Sequence, residues 1–406
     1  MKNIAIFGFG VVGGGIPDVI ESCRDGIRAV VGDDINIKYI LDLRDFPESP
    51  LGDRIVHDIN TIIEDDEIEL VAETMGGAHP AYEFSIAAME HGKSVVTSNK
   101  EVVATFGDSL AECARRCGVK YLFEASVGGG IPVLRPFSTS LAHERIVSVS
   151  GILNGTTNFI LSKMKSDGRE FGDVLSEAQS LGYAERDPSA DVDGIDAKRK
   201  IIILTALSTG HLVSDDSVYC ESMRWITPAE IDAARRIGGS VKLIGTYRRD
   251  GEKMTIYVCP QIVMSSNPLS GVDDVYNAIS VGCEITGDVM FYGRGAGRYP
   301  TAGAVVADIV AVLSGAAAAE KSQIFDRADG LVSPFGNVKF KYYIRLSGVS
   351  ATDAEETLGG LFDEVSRVVG SPEGVAEFIC GTQSLDELKK IKPSLGNVEA
   401  VLRILE

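Results

Sequence analysis

The stretch "IAIFGFGVVGGGI", residues 4–16, decides the fold of the first third of the chain. An apolar run ends in the pattern G-x-G-x-x-G, whose glycines are Gly8, Gly10 and Gly13. In a strand–turn–helix unit the first glycine permits the tight turn, the second lets a pyrophosphate approach the backbone, and the third allows close helix–strand packing. The pattern therefore predicts a dinucleotide-binding turn, against the alternative of a plain tight turn. The expected cofactor contacts in the turn are Gly8, Gly10, Val11, Val12 and Gly13.

Strand and helix patterns alternate along the rest of this region. The strand-like runs are nearly continuous in apolar residues, which is typical of a parallel sheet covered by helices on both faces. They read "KNIAIFGF", "NIKYIL", "LVAETM", "SVVTS" and "YLFEAS". We therefore expect an α/β fold with a Rossmann-type doubly wound parallel sheet over residues 1–132. A later helix rich in small residues, over 301–320, is expected to complete that domain.

Three further parts follow the first domain. Residues 133–300 mix strand and helix patterns and predict an α+β unit. A polar stretch punctuated by Pro and Gly, 321–337, predicts a linker. Residues 338–406 read as β-α-β-β-α-β, the order of a small ferredoxin-like module. A C-terminal module of this size is expected to regulate the protein or to form dimers, and not to carry the chemistry.

Composition narrows the classes of partner. The 406 residues carry a formal net charge of -19, which disfavours nucleic acid because phosphate binding needs a cationic surface. No apolar run approaches the length of a membrane span, and a strand pattern begins at once, leaving no room for a signal peptide. Seven cysteines stand without a disulfide framework, and Cys113 and Cys117 lie one helical turn apart, a spacing that favours coincidence over a metal pair. These features predict a reduced cytoplasmic protein with neither a nucleic-acid nor a membrane partner.

The second strand ends in "ILDLRD", residues 40–45, and side chains at this position distinguish NAD from NADP. Asp42 can accept a hydrogen bond from the ribose 2′-hydroxyl of NAD and repels a 2′-phosphate. Arg44 can instead pair with that phosphate. Both residues lie further from the glycines than the usual spacing of about 20 residues, which a helix-to-strand insertion explains. The two signals conflict, and the cost of an acid opposite a phosphate favours NAD.

Ligands of an open parallel sheet lie beyond the carboxyl ends of its strands. Three such ends carry polar or glycine-rich sequences: "ETMGGAHPA" (73–81), "TSNKE" (97–101) and "EASVGGGIP" (124–132). Gly76, Ser98 and Lys100 are therefore expected beside the cofactor, and a surface lysine at a helix start is the alternative for Lys100. Glu124, followed by a glycine run whose carbonyls can face inward, predicts an oxygen-only site for a hard cation, against the alternative of an ordinary glycine-rich turn.

The segment "GYAERDPSADVDGIDAKRK", residues 182–200, places many charges directly before the apolar run "IIILTAL". Asp196 and Lys200 are four residues apart on one helical face, so the carboxylate can orient the ammonium. The alternative is an exposed ion pair worth about 0.3–0.5 kcal/mol. The apolar continuation of the helix and the upstream acids favour a buried pair beside a substrate amine. Asp191 and Asp193 are expected to shape the loop or to face the substrate.

Six motifs, in order along the chain, resemble those of homoserine dehydrogenases, and the resemblance spans nearly the whole chain. They are the glycine turn, "SNK" (98–100), "EASVGGGIP" (124–132), "GILNGTTNFIL" (151–161), "LGYAERDPSADVDGIDAKRK" (181–200) and "GRGAGRYPTAGAVVADI" (293–309). The family oxidises L-homoserine to L-aspartate 4-semialdehyde with NAD or NADP, or runs the reverse, on the branch towards threonine, methionine and isoleucine. The resemblance implies this activity here, and a homodimer or homotetramer.

The resemblance also implies roles for individual residues in the charged segment and its neighbours. Lys200 corresponds to the catalytic lysine of the family, Asp196 to its acid partner and Lys100 to a second lysine. Glu185 corresponds to the glutamate that holds the substrate ammonium. The further substrate contacts that it implies are Asp191, Thr156 and Gly155.

The glycine-rich turns correspond to two other sites of the family. Gly297, in "GAG", is implied as a contact on the nicotinamide side of the cofactor. A monovalent cation, Na⁺ or K⁺, is implied at Glu124 and at the carbonyls of Val127, Gly129 and Ile131.

The C-terminal part is similar to the ACT-type regulatory domains often fused to this enzyme, with one departure. The first loop of such domains carries an acid followed by "PG" before the helix, whereas this chain has "SGVSATDAEETLGG", residues 347–360. The departure leaves amino-acid binding, and with it threonine feedback, without support from the sequence. A dimerisation role stays open.

Two other functions compete with this one. Aspartate-semialdehyde dehydrogenase, a related semialdehyde dehydrogenase, shares the product and the cofactor fold but needs a nucleophilic cysteine. None of the seven cysteines lies at a glycine-flanked strand end in these motifs, so the sequence disfavours it. A nucleotide-sensing regulatory Rossmann protein would not need Lys200, Asp196 and Glu185 together, and their joint presence favours the dehydrogenase.

Overall fold

The computed structural model describes residues 1–319, 325–391, 393 and 395–406. Its strands are β1 (Lys2–Phe7), β2 (Ile35–Leu41), β3 (Ile55–Val56), β4 (Ile68–Glu73), β5 (Ser94–Thr97), β6 (Tyr121–Leu122), β7 (Ile146–Ile152), β8 (His211–Leu212), β9 (Tyr219–Cys220), β10 (Gly239–Asp250), β11 (Lys253–Met264), β12 (Tyr276–Cys283), β13 (Gly287–Arg294), β14 (Asp326–Arg327), β15 (Lys339–Ser347), β16 (Val365–Arg367), β17 (Val375–Ser384) and β18 (Asn397–Leu405). Its α-helices are α1 (Ile16–Ser22), α2 (Arg24–Val31), α3 (Asn60–Ile63), α4 (Ala81–Glu90), α5 (Lys100–Cys117), α6 (Leu134–Ser138), α7 (Gly155–Asp167), α8 (Phe171–Ser180), α9 (Ser189–Val192), α10 (Ile195–Thr209), α11 (Pro228–Arg236), α12 (Arg298–Leu313), α13 (Ala351–Gly359) and α14 (Leu385–Ile391).

The chain forms two compact units that do not follow the four-part division expected from the sequence. The first unit comprises Met1–Ile146, Ile202–Asp215 and Gly282–Asp329. The second unit comprises Val147–Ile201, Asp216–Val281 and Gly330–Glu406. The C-terminal residues, expected as a separate module, therefore share a unit with most of the middle of the chain.

A six-stranded parallel sheet forms the centre of the first unit. Its order is β3-β2-β1-β4-β5-β6, which is the 3-2-1-4-5-6 order of doubly wound dinucleotide-binding folds. Every side chain from Ile4 to Phe7 is fully buried, because β1 lies in the middle of the sheet and helices cover it. The Rossmann-type parallel sheet predicted from the apolar strand runs is confirmed.

Helix α12 returns to the first unit late in the chain and packs beside α1 and α2. Its small and β-branched residues Ala302, Val305 and Ile309 are buried in the same core as Ile4 and Ile16. Small side chains at this contact allow the helix to approach the sheet closely. The later helix thus belongs to the first unit, as its composition predicts.

The bounds of α12 differ from the helix predicted over 301–320. The helix begins directly after Gly297, which has a φ of +121°, and ends before Gly315, whose left-handed φ of +79° interrupts it. Residue 320 of the predicted helix lies outside the described residues.

No helix in the described part of the chain is both long and apolar enough to cross a membrane.

A mixed sheet forms the centre of the second unit, with the order β12-β7-β10-β11-β18-β15-β17-β16, and β9 pairs with β11. Its longest pair of strands is the antiparallel hairpin of β10 and β11, in register from Gly239 opposite Met264 to Asp250 opposite Lys253. Apolar residues of α7, α8 and α11 pack with those of β10 and β11 in one core. The α+β character predicted for this region is what the structure shows.

The C-terminal residues form the predicted β-α-β-β-α-β order, but not as a separate body. Strands β15 to β18 lie in the order β18-β15-β17-β16, with antiparallel pairs, as in ferredoxin-like modules. β18 also pairs in parallel with β11, from Gln261 opposite Arg403 to Val263 opposite Leu405. Sequence patterns did not reveal this join, because the pairing partner of an edge strand is a long-range property. Residues 330–406, called the C-terminal module below, therefore extend the sheet of the second unit.

The segment predicted as a linker, 321–337, contains ordered structure. Residues 321–324 lie outside the described residues. Beyond them, Phe325 is buried, and β14 pairs in parallel with β8 within the first unit. Short 3₁₀ turns follow at Asp329–Leu331 and Phe335–Asn337. The described part of the predicted linker is therefore structured, and Phe325 supplies its apolar anchor.

Candidate active site

Geometry requires glycine at two positions of the turn between β1 and α1. Gly8 adopts a left-handed φ of +88°, and a Cβ on Gly13 would lie 2.1 Å from the Gly8 carbonyl oxygen. A Cβ on Gly10, or on Gly76 in the loop after β4, would meet nothing within 4 Å. The backbone at these two residues is open, and a pyrophosphate needs such an approach.

An arginine fastens the glycine turn to helix α12. Arg298 donates to the Gly14 carbonyl at 2.9 Å and pairs with Asp18 at 2.7 Å. In the same turn Val11 is 70% exposed, whereas Val12 is half-buried against the core of the unit. Sequence reasoning missed Arg298, and its signal is a basic residue directly after "GAG" at a helix start.

A second glycine-rich turn, residues 127–131, packs on the turn that precedes α12. A Cβ on Gly129 would lie 2.6 Å from the Gly295 carbonyl oxygen, so a side chain has no room there. Gly297 is two residues further on and forms the N-cap of α12. The turn predicted to bind the cation therefore packs against the turn predicted to contact the nicotinamide side of the cofactor.

The two residues with conflicting implications for the cofactor, Asp42 and Arg44, are bonded to each other. The Arg44 guanidinium donates to both Asp42 oxygens, at 3.0 and 3.1 Å, and the Phe9 N–H donates to Asp42 at 2.8 Å. Burial opposes ionisation of Asp42, yet these hydrogen bonds hold its pKa at about 2. The Asp42 side chain is 9% exposed and that of Arg44 63%. The carboxylate is thus fixed beside the glycine turn, and its negative charge neutralises the arginine.

Polar side chains tie together the ends of β4 and β5. Lys100 is half-buried at the start of α5, and Asn99 caps that helix and donates to the Gly77 carbonyl at 2.7 Å. The Ser98 N–H donates to the Glu73 carbonyl at 3.2 Å. The two strand ends expected to line the cofactor therefore meet, with Lys100 at their edge.

Glu73, which sequence reasoning missed, is a fully buried acid at this junction. Its carboxylate accepts hydrogen bonds from the Thr97 hydroxyl and from the Met75 N–H. Burial raises the pKa of Glu73 to about 7, because these hydrogen bonds only partly offset the loss of water. Its signal in the sequence is an acid at the end of the apolar strand "LVAE".

This pKa predicts a pH-dependent stability of the first unit. The folded protein binds the Glu73 proton more tightly than the unfolded chain, whose pKa is near 4.5, so the stabilisation is complete below that pH and is lost as the pH rises through about 7. Between pH 5 and pH 8 the thermal midpoint of the wild type should fall by an additional amount of order 5 °C, relative to Glu73→Gln. Calorimetric melting at both pH values measures this difference. The exposed Glu64→Gln variant is the control, and a Glu73→Gln profile parallel to the wild type would contradict the prediction.

Glu124 is buried and caps the short helix α6. Its carboxylate accepts from the Leu134 N–H at 2.9 Å and from the Arg135 N–H at 2.6 Å. Burial raises the pKa of Glu124, and these backbone donors partly offset the effect. Gly128 and Gly129 both take left-handed φ values in the turn that follows. A carboxylate has about four lone-pair positions, so two backbone donors leave room for a cation.

In the second unit, Lys200 and Asp196 form a buried pair at the start of α10. Lys200 is 8% exposed and Asp196 6%, and the ammonium donates to Asp196 Oδ2 at 2.7 Å. The ammonium also donates to the Leu153 carbonyl at 2.7 Å. The alternative of an exposed ion pair is therefore wrong, since the apolar continuation of α10 carries the pair into the core.

Asn154 joins this pair to a third acid. Its side-chain amide donates to Asp196 Oδ2 at 2.8 Å and to Asp191 Oδ1 at 2.7 Å. The side-chain oxygen Oδ1 of Asn154 caps α7 by accepting a hydrogen bond from the Thr157 N–H at 2.9 Å. Sequence reasoning missed Asn154, although an Asn directly before a helical pattern is a helix-start signal. The structure thus places Lys200, Asp196 and Asp191 around one buried amide.

The first turn of α7 also contacts the start of the charged segment. Thr156 donates through its hydroxyl to the Tyr183 carbonyl at 2.6 Å. A Cβ on Gly155 would lie 2.8 Å from the Val275 carbonyl oxygen, so only glycine fits at this helix start. Glu185, two residues after Tyr183, is exposed. Gly155 and Thr156 directly follow Asn154 in the chain, and Thr156 bonds to the start of the charged segment. Glu185 lies at the surface of the unit.

Asp193 shapes the loop. Its carboxylate accepts from the Arg224 guanidinium at 2.7 and 3.1 Å and from the Ser222 hydroxyl at 2.7 Å. The hydrogen bond from Arg224 lowers the pKa of Asp193. Of the two acids with an open role, Asp193 therefore braces the segment, and Asp191 belongs to the cluster around Asn154.

Comparison with known proteins gives one consistent family. The family model described as "Homoserine dehydrogenase, NAD binding domain" matches residues 8–124, and the model described as "Homoserine dehydrogenase" matches residues 132–310. A homoserine dehydrogenase of Synechocystis sp. is 35% identical, over 99% of this chain and 99% of the relative. One from Bacillus subtilis is 39% identical, over 77% of this chain and 72% of the relative.

Solved structures agree with the sequence relatives. The homoserine dehydrogenase from Thiobacillus denitrificans matches with a TM-score of 0.90 and 31% identity, covering 100% of this chain and 98% of that one. A homoserine dehydrogenase of Staphylococcus aureus matches with a TM-score of 0.83 and 30% identity, covering 99% and 98%. A hyperthermophilic archaeal homoserine dehydrogenase mutant in complex with NADPH matches with a TM-score of 0.65 and 30% identity, covering 77% and 97%. The chain therefore belongs to the homoserine dehydrogenase family, the NAD(P)-dependent oxidoreductases that interconvert L-homoserine and L-aspartate 4-semialdehyde.

Proposed function

We propose that Lys200 and Asp196 carry the proton and charge chemistry of homoserine oxidation. Homoserine is a zwitterion with a terminal alcohol, and its oxidation removes a hydride from the carbinol carbon and a proton from the hydroxyl. The bound nicotinamide accepts the hydride in oxidation and returns it in reduction. An ammonium beside the reacting oxygen stabilises the developing alkoxide and offers a proton route. The observation that carries this proposal is the buried Lys200 ammonium, fixed by Asp196 and the Leu153 carbonyl.

Two hydrogen bonds fix the position of the Lys200 ammonium and leave one N–H donor for the substrate. A lysine ammonium has three N–H donors, and Asp196 and Leu153 hold two of them in fixed directions. The third can serve the hydroxyl oxygen of the substrate. Asp196, itself held by Asn154, orients the ammonium and keeps the buried positive charge compensated.

The same cluster offers groups for the amino-acid end of the substrate. Asp191, held by Asn154, supplies a negative charge next to the catalytic pair. Glu185, exposed in "YAERDP", is proposed to bind the substrate ammonium, with Thr156 and Gly155 at the start of α7 as further contacts. Lys100, at the edge of the first unit, is proposed as a second catalytic lysine.

NAD is the proposed preferred cofactor, bound at Gly8, Gly10, Val11, Val12, Gly13, Asp42, Gly76, Ser98, Lys100 and Gly297. The ion pair between Asp42 and Arg44 supports this preference. A 2′-phosphate would meet the Asp42 carboxylate, and Arg44 can pair with the phosphate only after giving up Asp42. A ribose 2′-hydroxyl can share the carboxylate without breaking the pair.

The test compares homoserine oxidation with NAD and with NADP in the wild type and in Asp42→Ala. The wild type should have the higher kcat/KM with NAD. The Asp42→Ala variant should shift the NADP/NAD ratio of kcat/KM by about a hundredfold towards NADP, because the like charge is removed and Arg44 becomes available to the phosphate. Asp42→Ala combined with Arg44→Ala is the control and should lose most of that shift. A wild type that prefers NADP would overturn the cofactor assignment, and no turnover with either cofactor would overturn the catalytic one.

A monovalent cation, Na⁺ or K⁺, is proposed to bind Glu124 and the carbonyls of Val127, Gly129 and Ile131. The support is a buried carboxylate followed by a turn that two left-handed glycines fold back. A cation there would stabilise the ionised form of Glu124. It would also fix the turn that packs on Gly295, close in the chain to Gly297.

Assembly and location complete the proposal. A homodimer or homotetramer is proposed, and the exposed apolar residues Ile285, Met290 and Tyr292 on and beside β13 support self-association. A cytoplasmic location is proposed, and the seven free cysteines fit a reducing compartment. The C-terminal module is proposed to be ACT-like, with a dimer-forming or regulatory role.

A further inference from the structure

A buried arginine of the C-terminal module bonds to a short segment from the middle of the chain. Arg403, on β18, is 5% exposed and donates to Glu221 at 2.8 Å. The Tyr219 hydroxyl donates to the same carboxylate oxygen, also at 2.8 Å. Residues 219–224, which run from β9 past Glu221, are called the bridging segment below.

Aromatic rings fix the position of this arginine. The guanidinium carbon of Arg403 lies 5.1 Å from the ring centre of Phe335, 5.6 Å from that of Phe340 and 5.9 Å from that of Tyr219. Tyr219 and Phe335 stack with ring centres 3.7 Å apart. Contacts of this kind stabilise a desolvated cation. The C-terminal module therefore holds the Glu221 carboxylate, while the Glu221 N–H donates to the Val258 carbonyl of β11 at 2.9 Å.

Residues of the bridging segment also contact Val192 and Asp193, which precede helix α10. Ser222 and Arg224 both bond to the Asp193 carboxylate, and the Cys220 thiol lies 3.1 Å from the Asp193 carbonyl oxygen. The Met223 N–H donates to the Val192 carbonyl at 3.0 Å. Contacts from four residues of the bridging segment thus hold Val192 and Asp193.

The residues held in this way lead directly into the catalytic helix. Gly194 has a left-handed φ of +80°, and a Cβ on it would lie 2.8 Å from the Cys220 sulfur, so the bridging segment packs tightly there. Asp196 and Lys200 follow in α10, and Asp191 lies two residues before Asp193. A shift of the bridging segment would move both sides of the cluster around Asn154.

We propose that Arg403 is a positioning residue through which the C-terminal module fixes the substrate site by way of Glu221 and the bridging segment. The inference rests on the proposed function of Lys200 and Asp196. It gives the module a role that needs no amino-acid ligand. Displacement by about 1 Å can cost about 100-fold in rate, so a brace of this kind has a measurable effect on catalysis.

The test compares Arg403→Met with Arg236→Met. Arg236 is half-buried, bonds to the buried Glu377 at 2.5 and 2.7 Å and joins α11 to β17, so it forms a comparable ion pair between the module and the rest of the second unit. Arg403→Met should raise the KM for homoserine by about tenfold and lower kcat, with an unchanged Kd for NAD. Arg236→Met should lower the thermal midpoint and leave the KM for homoserine unchanged.

Two further variants separate positioning from a general loss of stability. Arg403→Lys keeps the charge opposite Glu221 and should recover part of the KM. Glu221→Gln should resemble Arg403→Met, and the double variant should be no worse than either single one, because residues of one network are not additive. Full additivity in the double variant would contradict the proposed route through Glu221.

Hydrogen exchange of the 189–200 peptide measures the coupling without substrate. Exchange there should be faster in Arg403→Met and unchanged in Arg236→Met. Unchanged KM and unchanged exchange in Arg403→Met, or an equal rise of KM in Arg236→Met, would overturn the proposal. A wild type without homoserine oxidation would overturn the proposed function instead, and the exchange result would still decide the positioning role.

Discussion

Exchange of Lys200 for methionine is expected to lower kcat for homoserine oxidation by about 10³-fold, the range for a lost general acid–base or charge-stabilising group. The ammonium of Lys200 is buried and held at 2.7 Å by both Asp196 and the Leu153 carbonyl. Methionine keeps most of the side-chain volume but supplies neither charge nor proton to the substrate oxygen. Steady-state rates at saturating cofactor measure the loss. The Kd for NAD should stay within about twofold, because the cofactor turn belongs to the first unit.

Lys242→Met is the matched control for this prediction. Lys242 is another buried lysine of the second unit, 1% exposed and bonded to Asp273 at 2.8 Å. Its replacement removes the buried cation beside Asp273, which keeps only Lys165 at 3.5 Å, so it should lower the thermal midpoint while kcat at a permissive temperature stays near that of the wild type. A kcat for Lys200→Met within about tenfold of the wild type would remove Lys200 from the catalytic role.

Alanine at Gly10 should weaken NAD binding by about 100-fold while the first unit stays folded. A Cβ on Gly10 meets nothing within 4 Å, so the protein itself accommodates the methyl group. That methyl group would stand where the pyrophosphate approaches the backbone. A loss of this size corresponds to about 2.7 kcal/mol of binding free energy, which titration calorimetry with NAD resolves.

Two neighbouring glycines provide the controls. A Cβ on Gly14 also meets nothing within 4 Å, and Gly14→Ala should bind NAD nearly as well as the wild type. A Cβ on Gly13 would lie 2.1 Å from the Gly8 carbonyl oxygen, so Gly13→Ala should lower the thermal midpoint of the first unit. If Gly10→Ala binds NAD as tightly as the wild type, the pyrophosphate does not approach the turn at Gly10.

Local patterns predicted the elements well where one short stretch determines the structure. The run "IAIFGFG" is apolar enough to be a central strand, and a Cβ on Gly13 would meet the Gly8 carbonyl oxygen of the same turn. Asp196 and Lys200 are likewise neighbours on one helical face, so their pairing follows from spacing alone. Such features need no knowledge of distant residues.

Features that depend on distant residues were missed. Asn154 joins Asp191 and Asp196 across more than 35 positions of sequence, and Arg298 reaches Gly14 across 284. The same holds for the parallel pairing of β11 with β18, because a strand pattern does not name its partner. The end of α12 was missed for a local reason, since Gly315 is followed by four alanines whose pattern predicts a continuing helix.

The place of β18 between β11 and β15 has a consequence for synthesis. A ribosome makes β18 after every other strand of that sheet, so until residues 397–405 emerge, residues 261–263 of β11 and one edge of β15 lack their partner strand. Nascent chains carry both edges from the synthesis of β15 until β18 emerges. A premature stop before residue 397 would leave both edges open permanently, and such truncated chains would aggregate and be degraded.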